Sequence, residues 1–312
     1  MPPPPNLLLD DGSRLKAIGL ICVAIAMFAG LDGTAKYSAT ILGVPLFQVV
    51  WMRFVSHAGV NAIALGPRVF IRSLKSTHPG HQFQRGLFLF GSTIFNFAAL
   101  RYLQMDQSVT IFFVTPFFVA VLAGPLLGEW IGWRRLVAVI VGFSGVILVV
   151  RPGFGGIHWA VIYSFGSVIS YSLYIISTRY LARYDPPLVT QVYSPLTGML
   201  VMTPLGLSVW VWPPDPWTWV MICATGFWGA LGHYLLIEAH RRAPAPVLAP
   251  FSYIGLIFQT GVGYFVFRDV PSIWTVAGGA VIIGCGLYLL HRERVRKTDG
   301  PAAASLSAEI RD

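Results

Sequence analysis

Asp32 and Lys36 stand four residues apart in GLDGTAKY (30–37), an acid and a base closing an otherwise apolar run. That spacing puts both on one helix face, where an i, i+4 ion pair would explain how Asp32 is tolerated. Arg53, His57 and Asn61 recur at i, i+4 and i+8 in WMRFVSHAGVNAIAL and also share a face. A guanidinium inside a lipid-spanning segment costs about 3 kcal/mol or more unless paired or hydrated, so Arg53 is expected to face protein or water. It can bridge helix ends and carbonyls, or hold a carboxylate with its planar fork. His57 alone reads as a packed or hydrogen-bonded histidine.

Tyr163, Ser167, Tyr171 and Tyr174, at spacings of 4, 4 and 3, form a stripe of rings and hydroxyls. Such a stripe lines a cavity or packs against a neighbouring helix. Ser92 and Asn96 lie four apart, and Asn96 can hydrogen-bond a solute or another helix. Trp228, Tyr234 and Glu238 run toward the end of a later segment, where Glu238 is expected to pair with Arg241 or Arg242. Gln259 is the one strongly polar residue in its apolar run. Glu129 and Asp269 read as first-turn acids favoured by a helix dipole. No H-x-x-x-H or D-x-x-D pattern falls within an apolar run, and no P-loop is present, so neither catalysis nor ATP-driven chemistry is expected. No metal site and no cofactor are expected either.

The elements that must position these groups follow from composition. Of 312 residues, 55% are hydrophobic and 11% charged, against about a quarter charged in soluble domains. About 20 apolar residues cross a bilayer core as a helix. Ten such runs lie near 15–36, 45–65, 86–102, 107–127, 133–151, 157–177, 188–211, 216–238, 246–267 and 272–291. Backbone groups in lipid must be satisfied internally, so the runs are helices. The expected fold class is an all-α integral membrane protein with ten transmembrane helices. With both termini cytoplasmic, sixteen Lys and Arg residues fall on the inner side and four on the outer. The net charge of +9 is therefore topogenic, and no nucleic-acid partner is expected. The basic stretch 67–85 reads as the longest connection, a cytoplasmic anchor near anionic lipid. Cys22, Cys223 and Cys285 lie in apolar runs and read as packing residues. The N-terminus lacks the form of a cleavable signal, and the tail is low in complexity.

An offset near 140 residues aligns AALRYLQ (98–104) with EAHRRAP (238–244) and LGEWIGW (127–133) with FRDVPSI (267–273). A slightly larger offset aligns KYSA (36–39) with RYLA (179–182). Five spans per half imply two inverted five-helix repeats, an arrangement of secondary transporters, whose substrate site tends to lie at the repeat interface. The stretch 97–153 resembles the EamA repeat of the drug/metabolite transporter superfamily, in Pro116, Leu-Leu-Gly-Glu at 126–129 and Arg-Pro-Gly at 151–153. A weaker second copy covers 233–290.

The resemblance implies a central cavity between the two repeats and alternating-access transport of a small-molecule solute in a bacterial inner membrane, surrounded by lipid. Expected units are an N-terminal segment 1–13, repeats at 14–152 and 153–292, and a disordered tail 293–312. The Tyr, Trp and Ser lining favours export of an aromatic or large apolar amino acid. Uptake or exchange of a larger metabolite such as S-adenosylmethionine or riboflavin is the alternative, and a non-transporting receptor or structural protein the alternative class. Solute-site or coupling candidates are Asp32, Lys36, Arg53, His57, Asn96, Tyr163, Ser167, Tyr171, Tyr174, Trp228, Tyr234 and Gln259. A proton is the candidate coupling ion, with Asp32 its carrier.

Overall fold

The computed structural model describes residues 11–128, 133–150, 159–243, 245–288 and 291, and every regular element among them is helical. The first half holds α1 (Asp11–Thr40), α2 (Leu46–Arg72), α3 (Pro79–Leu100), α4 (Met105–Phe112), α5 (Thr115–Leu127) and α6 (Trp133–Val150). The second holds α7 (Val161–Leu181), α8 (Pro187–Ser208), α9 (Pro216–Arg242), α10 (Ala245–Leu248), α11 (Ile254–Val262) and α12 (Ile273–Tyr288). A 3-10 turn (Ala249–Tyr253) links α10 to α11, and a π-turn (Gly263–Phe267) follows α11. The helices overlie the ten apolar runs. The reason is local: a long apolar segment in lipid can satisfy its backbone only within itself.

Five stretches are long and apolar enough to cross a membrane: Leu15–Thr40, Leu46–Arg72, Met105–Leu126, Val161–Leu181 and Pro216–Arg242. Large apolar side chains cover the outside, among them Ile63, Leu200, Ile257 and Phe265, all more than half exposed. In water such a surface would be a liability; against lipid it is the expected solvent face. The three cysteines are free and partly buried, as packing residues should be.

The stretch 67–85 is not a long loop. Gly66 takes φ 71° ahead of Pro67, so α2 kinks there and continues to Arg72, and α3 starts at Pro79. Only 73–78 connects them. Its turn is tied to the α7–α8 connection through Asp185, whose carboxylate accepts from Ser76, from the Thr77 amide and hydroxyl (both 2.9 Å) and from Gln82 Nε2 at 2.8 Å. Burial pushes the Asp185 carboxyl up, but these donors outweigh it and hold the group at about 2.

Asp269 does not begin the last helix either. Ser272 caps α12 by accepting the Thr275 amide at 3.0 Å, and Asp269 is engaged elsewhere. Residues 1–10, the tail beyond 291 and Glu129 lie outside the described residues.

Helix pairing crosses between the two halves of the chain: α1 packs on α9, α3 on α7, and α2 on both α8 and α9. Gly226 is what lets α9 press against α2, because a β-carbon there would strike Ser56 Oγ and the His57 backbone nitrogen. This contact carries His57 and, one turn earlier, Arg53 into the interior.

Candidate solute site

Asp32 and Lys36 do not pair. Asp32 Oδ1 accepts from Asn96 Nδ2 on α3 at 2.8 Å, and Oδ2 accepts from Gln259 Nε2 on α11 at 2.6 Å. Lys36 Nζ instead donates to Asp269 Oδ2 at 2.9 Å and to the Leu103 carbonyl at 3.0 Å, lying over the Phe267 ring at 4.7 Å. The i, i+4 reading fails because each side chain has a better partner on another helix. Two amide donors satisfy the carboxylate of Asp32 more fully than one exposed helix pair, which contributes only about 0.3–0.5 kcal/mol. Asn96 Oδ1 also receives a long bond from Ser108 on α4 at 3.4 Å.

Arg53 is 2% exposed, and its guanidinium carbon lies 4.3 Å from the Phe54 ring centroid. Its Nε and Nη1 make no hydrogen bond within the described residues. The guanidinium interacts electrostatically with the Asp32 carboxylate. His57, 1% exposed, likewise has both ring nitrogens unbonded and stacks on His233 of α9 at 5.8 Å. A β-carbon on Gly229 of α9 would meet His57 Nδ1 at 3.5 Å and Arg53 Nη2 at 3.9 Å, so α9 forms one wall beside both groups. Asn61, the third member of that face, turns to the Gln191 carbonyl of α8 at 3.4 Å.

Across this interior Tyr171 and Tyr174 stack at 5.4 Å, with Phe112 5.0 Å from Tyr171. Ser167 Oγ donates to the Ser92 carbonyl at 3.0 Å, a helix–helix contact between α7 and α3. Tyr163 sits further along α7, packed on Trp159 at 5.5 Å and Phe95 at 6.4 Å. Trp228 lies against Gly30, whose β-carbon would come 3.4 Å from its indole, close in sequence to Asp32. Tyr234 is 54% exposed and stands apart from the cluster. Glu238 pairs with Arg241 at 3.3 Å and with Arg242, as its spacing predicts. Gln259 is buried with its Oε1 unbonded.

Three residues join the picture that sequence reasoning passed over. Arg85, counted there among the topogenic cations, is 4% exposed and bonded to Thr178, the Thr190 carbonyl, Ser194 and Tyr174 at 2.6–3.0 Å. Its signal was present, since Arg85, Ser92 and Asn96 follow at helical intervals of seven and four. His233 stands immediately before the tyrosine that was singled out. Asp106 is 3% exposed in the first turn of α4. An apolar groove of about 350 Å³ between α6 and α12, lined by Val137, Val141, Cys285 and Tyr288, lies on elements other than those carrying the polar cluster.

The interior of this helical membrane protein holds an acid, a guanidinium, imidazoles and stacked tyrosines, groups that mark a functional site when they are buried among membrane helices. The chain belongs to the EamA-like transporter family, whose model matches it twice, over residues 15–151 and 158–292. It is therefore a membrane transporter of the drug/metabolite type, not an enzyme. It is 26% identical over 284 residues to an S-adenosylmethionine uptake transporter of Rickettsia felis, covering 90% of this chain and 94% of that one. A riboflavin transporter of Brucella anthropi is 27% identical over 286 residues, covering 86% and 96%. The pseudopaline exporter CntI of Pseudomonas aeruginosa is 27% identical over 193 residues, covering 60% and 66%. A solved crystal structure shares the fold with a TM-score of 0.60 at 19% identity, covering 91% of this chain and 99% of that one.

Proposed function

We propose that this transporter takes up a zwitterionic, ring-bearing metabolite of the S-adenosylmethionine class. The observation that carries this is Arg53, a buried guanidinium with two unbonded nitrogens, electrostatically coupled to the buried carboxylate of Asp32. A carboxylate on the solute meets the fork of Arg53, a cationic centre meets Asp32, and a flat ring meets the Tyr171–Tyr174 stack. His57 and Gln259 Oε1 supply further hydrogen-bonding positions. The S-adenosylmethionine uptake transporter and the riboflavin transporter among the relatives support the same size class. Export of an aromatic or large apolar amino acid, which the sequence favoured, gains no specific support from these relatives. The test is counterflow in proteoliposomes with labelled S-adenosylmethionine, riboflavin and phenylalanine. Saturable S-adenosylmethionine counterflow that Arg53→Ala abolishes is expected; saturable phenylalanine flux without it overturns the reading.

We further propose ten crossings in two five-helix units, 14–152 and 153–292, inverted about a central cavity. Supporting this, α2 begins at Leu46 and α8 at Pro187, while α6 begins at Trp133 and α12 at Ile273, matching the offset found in the sequence. Each unit also breaks its fourth crossing, at 113–114 and at the turn Ala249–Tyr253. The positive bias supports an inner-membrane location with cytoplasmic termini and surrounding lipid. Single cysteines placed beside Arg14 and Arg101 should label from opposite sides with a membrane-impermeant maleimide. Labelling from one side would overturn the topology.

A further inference from the structure

Lys36 and Asp269 form an ion pair that ties α1, in the first half of the chain, to the segment after α11, in the second. Both side chains are shielded, 10% and 19% exposed. Lys36 also holds the Leu103 carbonyl just ahead of α4, so three elements meet at one ammonium. Packing brings α1 and the π-turn onto α4: a β-carbon on Gly33 would approach the Met105 methyl at 3.8 Å, and one on Gly263 would approach Met105 and Asp269 Cβ at 3.6 Å each.

Next to Met105 is Asp106, 97% buried by area, with neither carboxylate oxygen hydrogen-bonded among the described residues. The first-turn amides of Asp106 and Gln107 approach it without reaching hydrogen-bond geometry. Lys36 attracts it and Asp269 repels it. Among the described residues the other elements packed on α4 bring no further partner charge, and α11 holds no ionisable residue. From α3 comes Asn96, bonded to Ser108; from α7, Tyr171 against Phe112; and 136–150 of α6 holds no ionisable residue. Arg268 is exposed, and Arg151 lies outside the described residues.

Two acids therefore share one ammonium, which is committed to Asp269. An ionised carboxylate left buried without partners is far more unfavourable than a protonated one. Asp32 contrasts with it, because two amide donors at 2.8 and 2.6 Å suit an ionised carboxylate. We propose that Asp106 is a proton-binding site, and that release of its proton draws Lys36 from Asp269 and parts α1 from the end of α11. The proton leaves to water, the new carboxylate takes the ammonium, and Asp269 is hydrated as the elements separate. The inference rests on the transporter reading but not on any choice of solute.

Infrared difference spectra of the protein in lipid nanodiscs, without solute, test proton binding. A protonated-carboxyl band that disappears on alkalinisation is expected in wild type. It should be lost in Asp106→Asn, kept in Asp32→Asn and shifted in Asp106→Glu. Absence of that band in wild type, or its survival in Asp106→Asn, overturns the proposal. Where Asp106→Asn does not fold, the shift in Asp106→Glu decides in its place, and an unshifted band overturns the proposal. Hydrogen exchange reads the second step: exchange at 263–269 should rise, beyond the chemical rate, as the band disappears. Unchanged protection overturns the coupling. Failed S-adenosylmethionine counterflow leaves these results standing, so the two readings fail separately.

Discussion

Arg53 has a guanidinium that the chain itself only partly satisfies, and this sets its response to substitution. A hydrogen bond to a charged group contributes about 1.5–3 kcal/mol, which corresponds to about 10- to 150-fold in affinity. Arg53→Lys keeps the charge but not the planar fork, so it is expected to raise the half-saturation concentration for S-adenosylmethionine within that range. Equilibrium binding to purified protein checks this, and unchanged affinity would remove Arg53 from the site. The need for Arg53 to face protein or water was legible from its apolar surroundings. That Asp32 of α1 would be its electrostatic partner was not, because that depends on helix packing.

Helices α2 and α9 meet backbone to backbone at Gly226, and that contact holds His57 and Arg53 in place. Gly226→Val should cost about 1–3 kcal/mol through overpacking. It should lower thermal stability in detergent and weaken solute binding together; a change in neither would mean α9 can shift freely. Elsewhere, Asp185 fastens the α2–α3 turn to the α7–α8 connection. Its folded value near 2 lies below the ordinary carboxylate value of about 3.9, so its contribution is intact above about pH 4. The contribution is lost as pH falls toward 2. Asp185→Asn should lower the melting temperature at neutral pH, with the gap from wild type closing in acid. A gap constant down to strong acid would contradict this sign. The kink at Gly66 shows why the connection was misread: a Gly-Pro pair signals a break, yet α2 resumes after one distorted residue.

Across the whole molecule Lys36–Asp269 is the ion pair, among several polar contacts, that joins the halves within the described residues. Removing one partner leaves the other charge shielded from water, so Lys36→Met alone should destabilise by about 1–3 kcal/mol. The double variant Lys36→Met/Asp269→Leu should recover much of that loss, as a double-mutant cycle of thermal melts would reveal. Additive losses would show that the pair does not couple the halves. Sequence comparison matched Glu129 with Asp269 at the offset near 140 residues and Lys36 with Arg179 at a slightly larger one. Those matches rank equivalent positions in a repeat. They carry no information about which residues touch.

The sequence by itself determined what depends on a residue and its neighbours along the chain. Runs of about 20 apolar residues dictate helices in lipid, and helical spacing dictates which side chains share a face. Polar residues within its apolar runs also marked which side chains are candidates for a solute site. Only the tertiary structure decided the partners, and with them the roles. Lys36 bonds a residue 233 positions away while Asp32 bonds others 64 and 227 away. Arg85 turns inward although its flanking charges mark a membrane surface. The physical reason is that a face has several possible neighbours until helices pack, and a buried charge goes to whichever donor or acceptor that packing supplies.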